Sequence, residues 1–427
     1  MSQPGPSPLA VRDHQISVSD ALRHIAQSVQ PIDGAEIVPL ERACTRILAA
    51  DLLSPINVPA HDNSAMDGYA FCGAAMVAGQ DTVLKALEAT AVAGQPFEGR
   101  IAPGQCLRIM TGAVMPAGSD TVVPLELCRV DGTQVTIAAD TLRSGENRRQ
   151  AGEDLALGRP ALRAGRLLRP ADVGLIASLG FTQVQVKRRL RVALFSTGDE
   201  VVAPGQPLPL GSIYDSNRYT LKAALERLQM EVIDLGLVRD DPKALQEAMR
   251  RAVEQADAVL TSGGVSAGDA DYTREVMASL GAVEFWKVAM RPGRPFAFGV
   301  LHASQAPQAS TAWLFALPGN PVAALVTFYT LARDGLLRLA GAQPDPVPRL
   351  QARSVQAIRK RPGRTEFQRG MVEPSQEGGW QVRMVGSQGA GILRSMSEAN
   401  ALVVLHHDQG NVEAGGWVDV WLFDGLV

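Results

Sequence analysis

The sequence predicts a multidomain α/β plus β protein. At its centre is a doubly wound, mostly parallel α/β domain, joined by a small β domain, a mixed N-terminal linker domain and a C-terminal β-barrel-like domain. Three observations predict this. From Arg191 to about Ala340, apolar strand-like runs alternate with amphipathic helical runs, the pattern of βαβ units. From about Pro55 to Gln150, short β-like runs are broken by Gly and Pro. After the Pro-rich stretch "AQPDPVP", the rest of the chain reads as strands. The expected division is 16–54 with 151–188 as the mixed α/β domain, 55–150 as the small β domain, 189–341 as the α/β domain and 347–427 as the last.

Taken in order, residues 1–15 read as a flexible tail. "SVSDALRHIAQSV" places Val18, Leu22, Ile25 and Val29 at helical spacing, with Ser19 as N-cap. "ERACTRILAADL" reads as a second short helix. "QCLRIMTG", "DTVVPLELCRV" and "TQVTIAAD" supply the small β domain, and "RPADVGLIASLGF" returns to helix. The α/β run then reads strand "RVALFST", helix "NRYTLKAALERLQ", strand "EVIDLGLV", and a helix capped by Asp241 with Pro242 in its first turn. Strand "DAVLTS", helix "DYTREVMASLG", strands "VEFWKVAM", "PFAFGVL" and "AWLFALPG", and a helix from "NPVAALV" to "LLRLA" complete it. The last domain takes "LQARSVQAI", "EFQRGMVE", "WQVRMVG", "ALVVLHH" and "GWVDVWLF" as strands.

Composition narrows the function. The 427 residues are 46% hydrophobic and 20% charged, which supplies a core for each domain. A net charge of −3 argues against a general nucleic-acid binder. Cys44, Cys72, Cys106 and Cys128 form no C-x-x-C pair, so reduced thiols are expected rather than a zinc site. With no apolar signal region and no run of about 18 apolar residues, a cytoplasmic protein is expected.

In an open α/β sheet, ligands bind beyond the carboxyl ends of the strands. The segments just past the strands here are rich in acids, bases, glycines and hydroxyls: Thr197-Gly198-Asp199-Glu200, Asp240-Asp241, the loop "TSGGVSAGDAD" with Ser262, Gly263, Gly264 and Ser266, Lys287 with Arg291 and Arg294, and Pro318 through Pro321. The glycine amides and the start of the next helix suit a phosphate. Asp199, Glu200, Asp240, Asp269 and Asp271 together repel one another, and Mg2+ is the ordinary relief. Each feature also has a plainer meaning. Gly-rich turns are often only tight connections, Asp271 equally caps a helix, and Glu200 equally sits in solvent. Away from this domain, Asp67, Thr111, Arg148, Arg149 and Asp154 lie in polar loops that are either plain turns or the wall of a cleft. "IRKRPGRTEFQRG" is either a solvated strand face or an anion clamp. His406 and His407, adjacent on an expected strand, point to opposite faces and are no paired metal site.

"NSAMDGYA", "RIMTGA", "RRQAGED", "FSTGDE", "YDSNRY", "TSGGVSAGDADYT", "WKVAMRPGRPFAFG", "LPGNPVAA" and "GRTEFQRG" occur in that order. In them the chain, from about Ser17 onward, resembles the molybdopterin molybdenumtransferase family, MoeA and the gephyrin E domain. The resemblance implies a molybdopterin-binding type of α/β domain, an elongated homodimer with a cleft shared between subunits, and insertion of molybdate into adenylylated molybdopterin with release of AMP, assisted by Mg2+. It implies catalytic roles for Asp67, Glu200, Asp240 and Asp271, the last three also as metal ligands. Thr111 would line the cleft, Lys287 and Arg291 would face the anions, Pro318 and Pro321 would shape the backbone, and Arg369 would help bind molybdate or phosphate. The upstream adenylyltransferase and molybdoenzyme apoproteins would be partners. Relatives commonly carry "KPGKP" where this chain has Arg291 and Arg294, and often Ser where it has Ala390. A molybdopterin adenylyltransferase, with its similar "SGG" loop, and a non-catalytic scaffold or cofactor carrier are the rival readings.

Overall fold

The computed structural model describes residues 13–265, 271–304, 306 and 308–427, and of Asp13, His14, Asp271 and Tyr272 the backbone alone. At its centre is a seven-stranded sheet. Its spatial order is Asp13–Ile16, Gly281–Val288, Pro295–His302, Thr311–Leu317, Ala258–Ser262, Arg191–Thr197, Glu231–Val238. Neighbours are parallel except around Pro295–His302, which runs antiparallel to both of its own. The central strands are apolar on both faces, Ala258–Ser262 being wholly buried, because helices cover both sides. On one face lie the helices Val18–Ser28, Asn217–Arg227 and Pro321–Thr327, sharing a core with Leu194, Leu260 and Phe315. On the other, Pro242–Gln255 and Asp271–Leu280 share one with Ala193, Val259 and Leu314. The doubly wound expectation is met.

The small β region is a six-stranded sheet whose central strand pair is Gln105–Ile109 with Thr82–Ala91, and Gly68–Phe71 lies on the other side of Gln105–Ile109. Residues 35–53 and 160–187 form paired short strands and the helix Pro170–Ser178 around Val38, Leu48, Ile176 and Val186. At the C-terminus five strands close into a barrel. Thr365–Pro374, Trp380–Met384, Leu350–Ser354, Trp417–Leu422 and Ala401–Leu405 follow in order, and the last pairs back to the first. The short strand Met290–Arg291 joins this barrel beside Thr365 and Glu366, tying it to the α/β domain.

Several local expectations need correction. Residues 13–15, read as the end of the tail, form with Ile16 a strand on the central sheet, pairing Ile16 with Val288. The first helix is capped by Ser17, whose hydroxyl accepts from the Asp20 amide; Ser19 lies inside it. "ERACTRILAADL" is not a helix beyond a short turn at Leu40–Arg42. Its amides pair elsewhere, Thr45 with the Leu168 carbonyl and Leu48 with that of Arg166, and Thr45 takes a positive φ of 66°. Pairing with distant segments of the same chain overrode helix propensity there. The end of "HDNSAMDGYA", placed among the polar loops, runs into the buried strand Gly68–Phe71. The expected long helix after Asn320 contains a π-helical segment, Phe328–Ala332. The strand "ALVVLHH" stops at Leu405, and His406 meets Asp419 at 2.8 Å. Asp241 does cap its helix, accepting from the Ala244 amide. Among the described residues no helix is long and apolar enough to cross a membrane.

Candidate active site

The sheet lines up the expected residues along one edge. Register pairs Thr197 with Val238, Ser196 with Ser262, Ser262 with Leu317, and Lys287 with Pro295. Across the strands, the edge therefore presents Asp240, then Thr197 to Glu200, then Ser262 to Gly264, then Pro318 to Pro321, then Pro295 and Lys287. Five strand spacings separate the acidic end from the basic end, roughly 24 Å at ~4.8 Å each. One end is rich in carboxylates and the other in cations, with glycines between.

The middle of this edge is tightly built. Gly263 has φ +96°, and a Cβ there would lie 2.6 Å from the Thr197 hydroxyl and 2.8 Å from its carbonyl oxygen. Gly264 has φ +75°, and its Cβ would lie 2.9 Å from Thr273 Cγ2. Both conformations favour glycine. The Gly263 amide donates to the Leu317 carbonyl at 3.0 Å, and the Ser262 hydroxyl donates to that of Pro318 at 3.2 Å. Among the described residues the buried Thr197 hydroxyl has no partner. An unsatisfied donor of this kind beside a glycine turn suits an anionic ligand. Ser266 and Asp269 lie outside the described residues, and so does the side chain of Asp271, whose backbone opens the helix Asp271–Leu280.

At the acidic end, Glu200 and Asp199 are exposed and Asp240 is half-buried. The Asp199 carboxylate accepts from the Asp240 amide at 3.3 Å. Gly198, with φ +140°, turns the chain so that a Cβ there would lie 2.8 Å from Glu200 Oε2. Among the described residues no three His, Cys, Asp or Glu side chains converge as a metal site. Glu200 and Asp240 are two hard oxygen donors on neighbouring strand ends. That set suits Mg2+, which commonly takes one or two carboxylates and completes its shell with substrate phosphate and water.

At the basic end, two cavities share Arg291. The larger, about 870 Å3, lies between the sheet and the barrel and is lined by Lys287, Arg291, Arg294, Arg359, Arg361 and Arg364. The segment 359–364 is thus not a strand face. Its Lys360 is buried and donates to the carbonyls of Arg361, His407 and Gln409, and burial lowers its pKa. The smaller cavity, about 270 Å3, is lined by Arg291, Gly293, Pro318, Gly319, Gln388 and Ala390. Pro321 opens the adjoining helix.

Arg369 is placed differently from the expectation. It is 0% exposed and does not reach the cavity surface. Its guanidinium donates to the Ser387 and Gly389 carbonyls and the Ser395 hydroxyl at 3.0–3.2 Å, holding the loop that walls the smaller cavity. These acceptors are neutral. Burial and the neighbouring Arg291 push its pKa down to about 10. Two guanidiniums side by side favour an anion near them.

Asp67, Thr111 and Asp154 stand apart, and neither cavity is lined by them. Asp67 accepts from the Thr111 amide and hydroxyl, both at 2.7 Å, and these bonds hold its carboxyl below its ordinary pKa. Arg148 approaches Asp62 at 3.5 Å and Arg149 pairs with Glu153, so both serve local turns. Sequence reasoning missed Asn217, whose side chain spans two of the edge loops. The signal was present in "YDSNRY", which read as a helix start and as one of the family motifs, with no role assigned to Asn217.

Family models match three stretches: the MoeA N-terminal region (domain I and II) over 16–180, a "Probable molybdopterin binding domain" over 193–338, and the MoeA C-terminal region (domain IV) over 351–423. With the doubly wound sheet and its glycine-centred edge, these define a protein of the MoeA class. A molybdopterin molybdenumtransferase of Haemophilus influenzae is 41% identical over 393 residues, covering 92% of this chain and 95% of its own length. One from a Nostoc species is 36% identical over 419 residues, 96% of this chain and 94% of its own length. The crystal structure of a molybdopterin biosynthesis MoeA protein from Pyrococcus horikoshii superposes with a TM-score of 0.79 at 25% identity, covering 96% of this chain and 100% of that one. The chain belongs to the molybdopterin molybdenumtransferase family.

Proposed function

We propose that this enzyme inserts molybdenum, supplied as molybdate, into adenylylated molybdopterin and releases AMP. The observation that carries this reading is the graded edge of the sheet, with cations at one end, a glycine loop in the middle and carboxylates at the other. A substrate with a phosphoanhydride and a separate oxyanion needs several anion-binding features along one surface. The Gly263–Gly264 loop receives the phosphates, and Arg291 beside the smaller cavity receives molybdate. Lys287, Arg294 and the arginines of 359–364 hold the remaining negative charge. Glu200 and Asp240, with Asp271, would hold Mg2+, which when bound neutralises charge on the phosphates as AMP leaves. Positioning and charge stabilisation suffice for such a step without a covalent protein nucleophile.

In the test, purified protein is given adenylylated molybdopterin with and without molybdate, and AMP is measured. Molybdate-dependent AMP release is expected. Absence of AMP release favours a carrier or scaffold. ATP consumption with the unadenylylated pterin favours an adenylyltransferase. The match of MoeA N- and C-terminal regions on either side of the α/β domain favours the transferase.

The position of Asp67 and Thr111 outside both cavities supports a second reading: a homodimer in which the small β region of one subunit completes the cleft of the other. Asp67→Asn and Asp271→Asn proteins, each inactive, would then regain AMP release as mixed dimers, to about a quarter to half of wild type if one intact cleft forms per mixed dimer and inactive parental dimers persist. Purified heterodimers without activity would overturn the shared cleft.

A further inference from the structure

We propose that Asn217 is a positioning residue that sets the spacing between the Gly263–Gly264 loop and the Pro318–Pro321 turn; this rests on the reading of those two loops as the phosphate-side and molybdate-side walls of one site. Asn217 is the first residue of the helix Asn217–Arg227. Its side-chain amide donates one hydrogen to the Ser262 hydroxyl at 2.7 Å and the other to the Gly319 carbonyl at 2.7 Å. Ser262 ends one strand and directly precedes Gly263. Gly319 follows the next strand and lines the smaller cavity. A single planar NH2 group thus bridges both loops, and its two hydrogens are fully used.

The bridge is anchored at its base. Asp215, 3% exposed, accepts from the Ser196 hydroxyl at 3.1 Å, from the Arg218 amide at 3.1 Å and from Arg218 Nε at 3.0 Å. Arg218 in turn reaches Asp234 at 2.7 Å. This network ties the start of the helix to strands Arg191–Thr197 and Glu231–Val238. Asn217 extends that tie to Ala258–Ser262 and Thr311–Leu317. The chain therefore ties together four consecutive strands, one at its middle and three at their ends, through two adjacent residues and their anchor. Aspartate has the same shape as asparagine but no donor hydrogens when ionised, and its oxygens would face the Gly319 carbonyl unfavourably.

The test uses the full chain with Asn217→Ala and Asn217→Asp. Each loop keeps its own ligand contacts, so the KM for adenylylated molybdopterin changes by less than about 3-fold, while kcat falls at least ~10-fold from misplaced reacting groups. Amide hydrogen exchange supplies a readout independent of activity. In both variants, exchange at Gly263 and over 317–320 rises together, while Ala193–Phe195 in the strand core is unchanged. Unaltered exchange at either loop overturns the proposal, as does a kcat loss no larger than the loss of folded protein. If the wild type releases no AMP, the functional reading fails and exchange alone decides the role of Asn217.

Discussion

Gly263→Ala lowers molybdate-dependent AMP release by about 100-fold or more, the scale on which small misplacements of reacting groups act. The cause is steric. At φ +96° the added Cβ meets the Thr197 hydroxyl at 2.6 Å and the Thr197 carbonyl oxygen at 2.8 Å. The carbonyl belongs to the last residue of a central strand, paired with Val238 and directly preceded by Ser196, which is laddered on both sides, so it has little room to swing away. The loop must move instead, and the Gly263 amide leaves the Leu317 carbonyl it now reaches at 3.0 Å. Positive φ alone costs about 1–2 kcal/mol for alanine. That cost would also appear at Gly205, where φ is +89° and an added Cβ has nothing within 4 Å. Gly205→Ala is therefore the control: similar backbone strain, no clash, normal turnover. The comparison needs AMP-release kinetics and thermal unfolding on both variants. Equal activity loss in the two would show that general destabilisation, not the phosphate loop, is responsible.

The α/β domain was legible because burial on both faces forces long apolar strands, while the covering helices need one apolar stripe. "DAVLTS" and "DPKALQEAMRRAVEQ" can hardly be read another way. The edge residues followed from a topological rule applied to those strands, which is why Thr197, Ser262 and Lys287 fall where that rule expects them. Legibility failed where long-range partners decide conformation. "ERACTRILAADL" has acceptable helix formers, yet its amides are taken by carbonyls about 120 residues away in sequence, a pairing no local window contains. The strand Asp13–Ile16 is four residues long and depends on Gly281–Val288 for its existence. Asn217 was passed over for a related reason. A residue's own neighbours reveal a helix start, whereas its role depends on two turns that converge only in the folded sheet.

Arg369 shows the same limit with a functional consequence. Its motif implied help in binding molybdate or phosphate, and the structure has it buried and bonded to the loop beside the smaller cavity. Arg369→Met is expected to raise the half-saturating molybdate concentration by about 30-fold, or ~2 kcal/mol. Methionine fills a similar volume but donates nothing, so the Ser387 and Gly389 carbonyls lose their partner and Gln388, Gly389 and Ala390 no longer hold the cavity wall. Opposing effects act on stability. The carbonyls of exposed Ser387 and half-buried Gly389 lose a charged donor, a cost below the roughly 1–3 kcal/mol of a fully buried unsatisfied group because water reaches them. Against this, the variant removes a buried cation whose depressed pKa marks a penalty. Linkage gives the sign: the folded-state pKa of about 10 lies below the ordinary guanidinium value, so the native state is disfavoured while Arg369 is protonated, and the penalty fades only as pH rises above about 10. At neutral pH it is fully present, and a bound oxyanion offsets it. Molybdate at 100 times its dissociation constant should stabilise the wild type by about 2.7 kcal/mol, and the variant, binding 30-fold more weakly, by only ~0.9 kcal/mol at the same concentration. Ser395→Ala, which removes the Nε partner and the hydroxyl's own bond to the Ile392 carbonyl, should shift affinity in the same direction by less, and the part that acts through Arg369 should vanish in the Arg369→Met background. Thermal unfolding with and without molybdate measures both. An undiminished molybdate shift in Arg369→Met would mean that the loop holds its shape without the guanidinium, and that Arg291 and the backbone of the smaller cavity suffice for the anion.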